Sequence, residues 1–160
     1  MQSPIPQIAH SLRALDGLLS KAEAHCEARG IDPEAILRDR LYPDMAPFTR
    51  QVQIASDTAK GAAGRLSGTD IPSSEATFAD LHGRIARTLD FIEGVPEAAF
   101  EGAEGREVVM RAGTPRETRM SGQGYLELFV LPNLHFHVAI AYAILRHRGV
   151  EVGKRDYLGG

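Results

Sequence analysis

The amino-acid sequence predicts an all-α protein: a four-helix bundle with a short β-hairpin between its third and fourth helices. Three observations carry that reading. Four long stretches repeat apolar residues at three- and four-residue steps, the period of a helix with a buried face. Residues that start or stop helices stand at their ends. One segment, 106–120, departs from that period and reads as two short strands about a turn. Four helices of such length, joined partly by long crossings, pack as a bundle. The 160 residues form one domain, 1–160, long enough to enclose a core.

The first helix is expected over Pro6–Arg29, with Ile5, Ile8, Leu12, Leu15, Leu19, Ala22 and Cys26 as its stripe. Gly30 stops it by turning left-handed. Asp32 caps a short second piece, and Pro33 suits its first turn because its φ is already helical. Leu41–Pro47 is a linker. A long helix over Pro47–Leu66 turns Phe48, Val52, Ala55, Ala59, Ala62 and Leu66 inward; the alanines permit close helix approach. Its other face carries Gln53, Asp57 and Lys60. Gln53 and Asp57 are one turn apart, so they can bond each other or point jointly at something. On the plainest reading Asp57 and Lys60 form a solvated ion pair worth less than about 1 kcal/mol.

A turn-rich loop, Ser67–Ser74, leads to a helix over Ser74–Glu93 with Phe78, Leu81, Ile85, Leu89 and Ile92 as its stripe. Thr77 and Asp80 have the spacing of a reciprocal cap. His82 lies off the stripe and is expected at the surface. Pro96–Phe100 reads as one helical turn, and Arg106–Arg111 with Pro115–Met120 as strands about Ala112–Thr114. A lone hairpin is marginal in water, so this one must lie on the bundle.

The last helix is expected over Gly124–Gly149, capped by Ser121 and stopped by Gly149. Arg146, His147 and Arg148 place donors and positive charge beside its final carbonyls. Pro132 has no N–H for the carbonyl of Leu128, so a kink or loosened turn is expected there. The helix is apolar on more than one face, which calls for a partner surface beyond the bundle itself.

A net charge of −3 gives no basic footprint for nucleic acid. The single cysteine, Cys26, excludes an intrachain disulfide and fits a reducing, cytoplasmic setting; His25 points elsewhere on the same helix, so Cys26 reads as a packed thiol. Met1–Gln7 lacks the pattern of a secretion signal. No run reaches about 18 uninterrupted apolar residues, so no membrane span is expected.

Three polar residues follow Pro132. At about 100° per residue, Asn133 and His137 share a face, whereas His135 points about 200° away from His137. His137 reads either as a hydrogen-bonded core histidine or as a base near neutral pH.

The segments PFTRQVQIASDTAK (47–60), FEGAE (100–104), LPNLHFH (131–137) and GVEVGKRDY (149–157) together resemble an uncharacterised bacterial domain-of-unknown-function family within the DinB/YfiT-like four-helix-bundle superfamily, over nearly the whole chain. The resemblance implies a homodimeric bundle and a pocket descended from a three-histidine metal site. The second histidine of a His-x-x-x-His pair falls on His137, the first on Asn133, and the ligand from the second long helix on or near Gln53. Asp57 would add a carboxylate. The implied metal is a divalent ion such as zinc or nickel, for which amide oxygens are poor ligands; the site is therefore a degenerate one, and the residues by themselves specify no cofactor. Gln53, Asp57, Asn133 and His137 then form a pocket for a small ligand, or a structural cluster in an interaction module whose dimer face surrounds His135, Phe136, Ala139 and Tyr142. The alternative is a metal-dependent thiol transferase or hydrolase, of the bacillithiol or mycothiol type, using His137.

Overall fold

The computed structural model describes residues 1–67 and 77–160. The elements run α1 (Ile5–Arg29), α2 (Pro33–Leu37), α3 (Phe48–Ser67), α4 (Phe78–Glu93), a 3-10 turn (Glu97–Phe100), β1 (Glu107–Met110), β2 (Thr118–Ser121), α5 (Gly122–Tyr125), a π turn (Leu126–Val130), α6 (Leu131–His147) and α7 (Lys154–Tyr157). The long helices close a ring: α1 packs on α4 and α6, and α3 packs on the same two from the other side. Ile8, Leu12, Leu15, Leu19, Phe48, Val52, Leu81, Ile85, Leu134 and Ile144 meet inside it, each at most 1% exposed. Burying a side chain of that size is worth about 1.5–3 kcal/mol.

The expected helix signals act as read. Asp32 accepts from the Glu34 N–H at 3.0 Å. Thr77 and Asp80 bond each other's backbone N–H at 3.0 and 2.8 Å, so the ordered start of α4 is Phe78. The expected start at Ser74, and the loop before it, lie outside the described residues. Gly30 and Gly149 take φ of 61° and 82°. Ser121 caps the last helical run through the Gly124 N–H at 3.1 Å. That run begins at Gly122, two residues earlier than expected.

The loosened turn expected near Pro132 is a π turn. The Leu131 N–H bonds the carbonyl of Leu126, five residues back, and Pro132 follows in the first turn of α6, where its missing N–H costs least. The run Gly122–His147 is long and apolar enough to cross a membrane by length and composition alone, although Glu127, Asn133, His135 and His137 interrupt its apolar residues, and 33% of its most apolar window is buried. Its inner face, Leu134, Val138, Ala141, Ile144 and Leu145, belongs to the bundle core.

The hairpin is shorter than expected. Glu107 pairs with Ser121 and Met110 with Thr118, so Arg111–Glu117 forms the connection and Pro115 is no strand residue. Pro115 has no ladder donor, and Arg111 and Gly113 take φ of 53° and 73°. The Glu117 carboxylate accepts the Gly113 N–H at 2.8 Å and closes this loop. Arg106 donates to the Leu66 carbonyl, and Val108 is buried, so the hairpin lies on the bundle at the end of α3.

Candidate functional site

Where α3 faces α6, His137 Nδ1 lies 2.7 Å from Gln51 Oε1. Gln51 is 2% exposed, and its Nε2 donates to the Ala46 carbonyl at 3.0 Å. That donation orients the amide. Its oxygen must face the imidazole, and a carbonyl oxygen only accepts, so Nδ1 carries the proton. Nε2 is left as the basic nitrogen and has no hydrogen-bond partner among the described residues. Burial, and then the nearby Arg50 guanidinium, push His137 below the ordinary imidazole value. The ring is therefore neutral at pH 7, with one lone pair on offer. The exposed Phe136 ring meets it edge-on, with centroids 5.0 Å apart.

Asn133 shares the His137 face, as the spacing requires, but its amide nitrogen donates to the Phe129 carbonyl at 2.8 Å. It supplies a donor to the same run of carbonyls that Pro132 leaves short. Gln53 does not bond His137. It stands two residues from Gln51, about 200° around α3, on the face it shares with Asp57. Asp57 Oδ1 accepts from Arg84 Nη2 on α4 at 2.8 Å. The expected Asp57–Lys60 pair is therefore replaced by a cross-helix pair with a buried arginine, and Lys60 is itself only 5% exposed. The four residues singled out in the sequence thus divide: His137 meets α3, Asn133 bonds within its own helix, and Asp57, with Gln53 one turn before it, lies on the face of α3 that meets α4.

Gln51 is the residue that sequence reasoning missed. It stands three and four positions from Phe48 and Ala55, inside the apolar stripe, where a polar side chain must find a buried partner. His82 also departs from expectation. It is half-buried, with Nδ1 2.6 Å from Asp16 and Nε2 3.3 Å from Glu23 on α1, and it ties α4 to α1. His135 turns away from His137 into a groove of about 270 Å³ that Gln7, His10 and Tyr157 also line. A larger groove of about 530 Å³ runs beside Ile5, His10, Arg13 and Glu93. Neither is lined by His137.

A transition-metal centre does not fit this arrangement. Among the described residues no three His, Cys, Asp or Glu side chains come together. The amides beside His137 are already engaged, Gln51 at both ends and Asn133 through its nitrogen. One imidazole nitrogen with amide oxygens is a poor set for zinc or nickel.

Comparison with known proteins agrees with the geometry of the bundle. The crystal structure of a DinB family member protein from Shewanella denitrificans is similar over 98% of this chain and 89% of that one, with 39% identity and a TM-score of 0.90. No functionally curated protein matches. A family profile described as "Domain of unknown function (DUF1993)" matches residues 1–158. With its bundle, its hairpin and its π-interrupted last helix in place, the chain belongs to this DUF1993 family, a DinB-like family of unknown function.

Proposed function

We propose that the protein works as a self-associating helical module, with the outer face of α6 and its preceding π turn as the contact between two copies. One observation carries this. Leu128 is 77% and Phe136 52% exposed, and with Pro132, Ala139 and Ala143 they form an uncharged stripe. From Pro132 on, its steps of four, three and four residues are those of a seam that packs helix against helix, and Leu128 stands before them in the π turn. A second copy brings the same stripe, so a two-fold contact is self-complementary. The sequence-derived face needs one adjustment: Tyr142 packs on Tyr157, with centroids 6.4 Å apart, and His135 faces the α1 groove. Phe136 and Leu128 are therefore the residues to test. Light scattering on the wild type should give a dimer, and Phe136→Glu or Leu128→Glu a folded monomer. A monomeric wild type overturns the reading. Binding to lipid vesicles that the same substitutions abolish would overturn it in favour of a membrane contact.

The free Nε2 of His137 favours a second reading, a small-ligand site that accepts a hydrogen bond from a hydroxyl or thiol. The metal-dependent thiol transferase has only this imidazole to stand on. A screen of such ligands by thermal shift on wild type and His137→Phe tests the site: stabilisation that vanishes in the variant supports it. Zinc- or nickel-dependent turnover of a thiol substrate would support the transferase instead.

A further inference from the structure

We propose that a hydrogen-bonded chain, His137 imidazole to Gln51 amide to Ala46 carbonyl, closes the α3–α6 site to divalent transition metals and locks His137 in the Nδ1–H form. Gln51 Oε1, the one atom of that side chain able to ligate, accepts from His137 at 2.7 Å, and its nitrogen is held by Ala46 at 3.0 Å. A metal drawn to this oxygen would compete with the Nδ1–H that binds it, with only the second lone pair of a buried amide left to take. Displacing it would leave the part-buried Nδ1–H of His137 without its partner. Asn133 is tied to Phe129 at 2.8 Å, so turning its oxygen inward would have to preserve that bond. Only His137 Nε2 remains as a strong donor atom, and one imidazole does not hold zinc or nickel against water.

The same geometry says what would open the site to a metal. Positions 133 and 137 are one turn apart on one helix face, the spacing at which two imidazoles share a metal. Position 51 faces His137 directly. Gln51→His with Asn133→His therefore places three imidazoles around one point, and removes the amide that holds His137 Nδ1.

The test uses the full chain made without an affinity tag and labelled with 15N-histidine. His137 signals are assigned by their loss in His137→Gln. The wild type should show Nδ1 protonated and Nε2 bare, with neither signal moved by one equivalent of zinc or nickel chloride. Gln51→His/Asn133→His should bind one zinc per chain at least a hundred-fold more tightly than wild type, and adding His137→Ala should abolish that gain. Wild type that binds zinc or nickel below about 1 μM with displaced His137 signals overturns the proposal. So does a protonated Nε2, or a folded double variant no tighter than wild type. If the double variant fails to fold, the wild-type tautomer and titration still decide.

Discussion

Gln51 and His137 stand 86 positions apart in the chain and meet at 2.7 Å across the α3–α6 contact. This one pair joins the two helices that the bundle packs most extensively, and it decides which nitrogen of the imidazole faces outward. Its energetic value is testable. Gln51→Leu strands a partly buried N–H and should cost about 1–3 kcal/mol in urea unfolding. Adding His137→Phe should recover part of that loss, because both polar partners are then gone. If the two effects simply add, the bond is not coupled as the geometry requires.

The same histidine gives stability a pH dependence. Its folded-state value is lowered from 6.5, first by burial and then by Arg50. The unfolded chain therefore binds the proton more readily. The contribution is fully present above about pH 6.5 and is lost as pH falls through the folded-state value. Unfolding free energies between pH 8 and 5 should decline towards acid, and His137→Phe should flatten that decline.

A second ion-linked contact acts at lower pH. Arg148, just beyond α6, donates to Asp39 at 2.5 Å, and that hydrogen bond is the main cause holding the Asp39 carboxyl below its ordinary 3.8. A lowered carboxyl contributes stability above its unfolded value and loses it as pH falls further. Arg148→Leu should cost about 0.5–1 kcal/mol at pH 7, and the difference from wild type should shrink towards pH 2 in denaturant titrations.

Backbone approach sets another limit. A Cβ at Gly122 would stand 1.8 Å from the Ala103 carbonyl oxygen, a backbone atom that cannot swing aside. Gly122→Ala should destabilise by more than about 2 kcal/mol. Gly17→Ala, in open space on α1, should be neutral or raise stability by up to about 1 kcal/mol, because alanine is the better helix former. Thermal melts of the two variants make the comparison.

The contrast between Gln51 and Gln53 shows what could be read in the sequence. Helix ends were legible because their chemistry is local: Asp32, Thr77 and Ser121 cap within three residues, and Gly30 and Gly149 stop within one turn. The apolar stripes gave the bundle for the same reason. His137 and Asn133 were legible as a pair because one helix holds both. The partner of His137 on α3 was not, since choosing between two glutamines requires the rotation of α3 about its axis to within about 100°, and that angle is set by packing against α4 and α6 together. Asp57 was drawn into the wrong group for this reason. Its partner Arg84 belongs to another helix, 27 residues away. His82 was misplaced likewise, because Asp16 and Glu23 approach it from α1.

The π turn at Leu126–Val130 adds one residue to a single helical circuit, which re-phases everything downstream by about 100°. Before the turn, Tyr125 takes a hydrogen bond at 3.0 Å from Arg65 near the end of α3; after it, His137 meets Gln51 near the beginning of the same helix. An unbroken helix could not point both residues at α3 with the same sequence spacing. Loss of one residue between 126 and 130 would therefore act as a rotation rather than a shortening, swinging the Asn133–His137 edge off α3 while leaving every side chain in the chain present. In a lineage of such proteins, insertions and deletions at this turn would change what the last helix shows to its neighbours faster than any substitution along it.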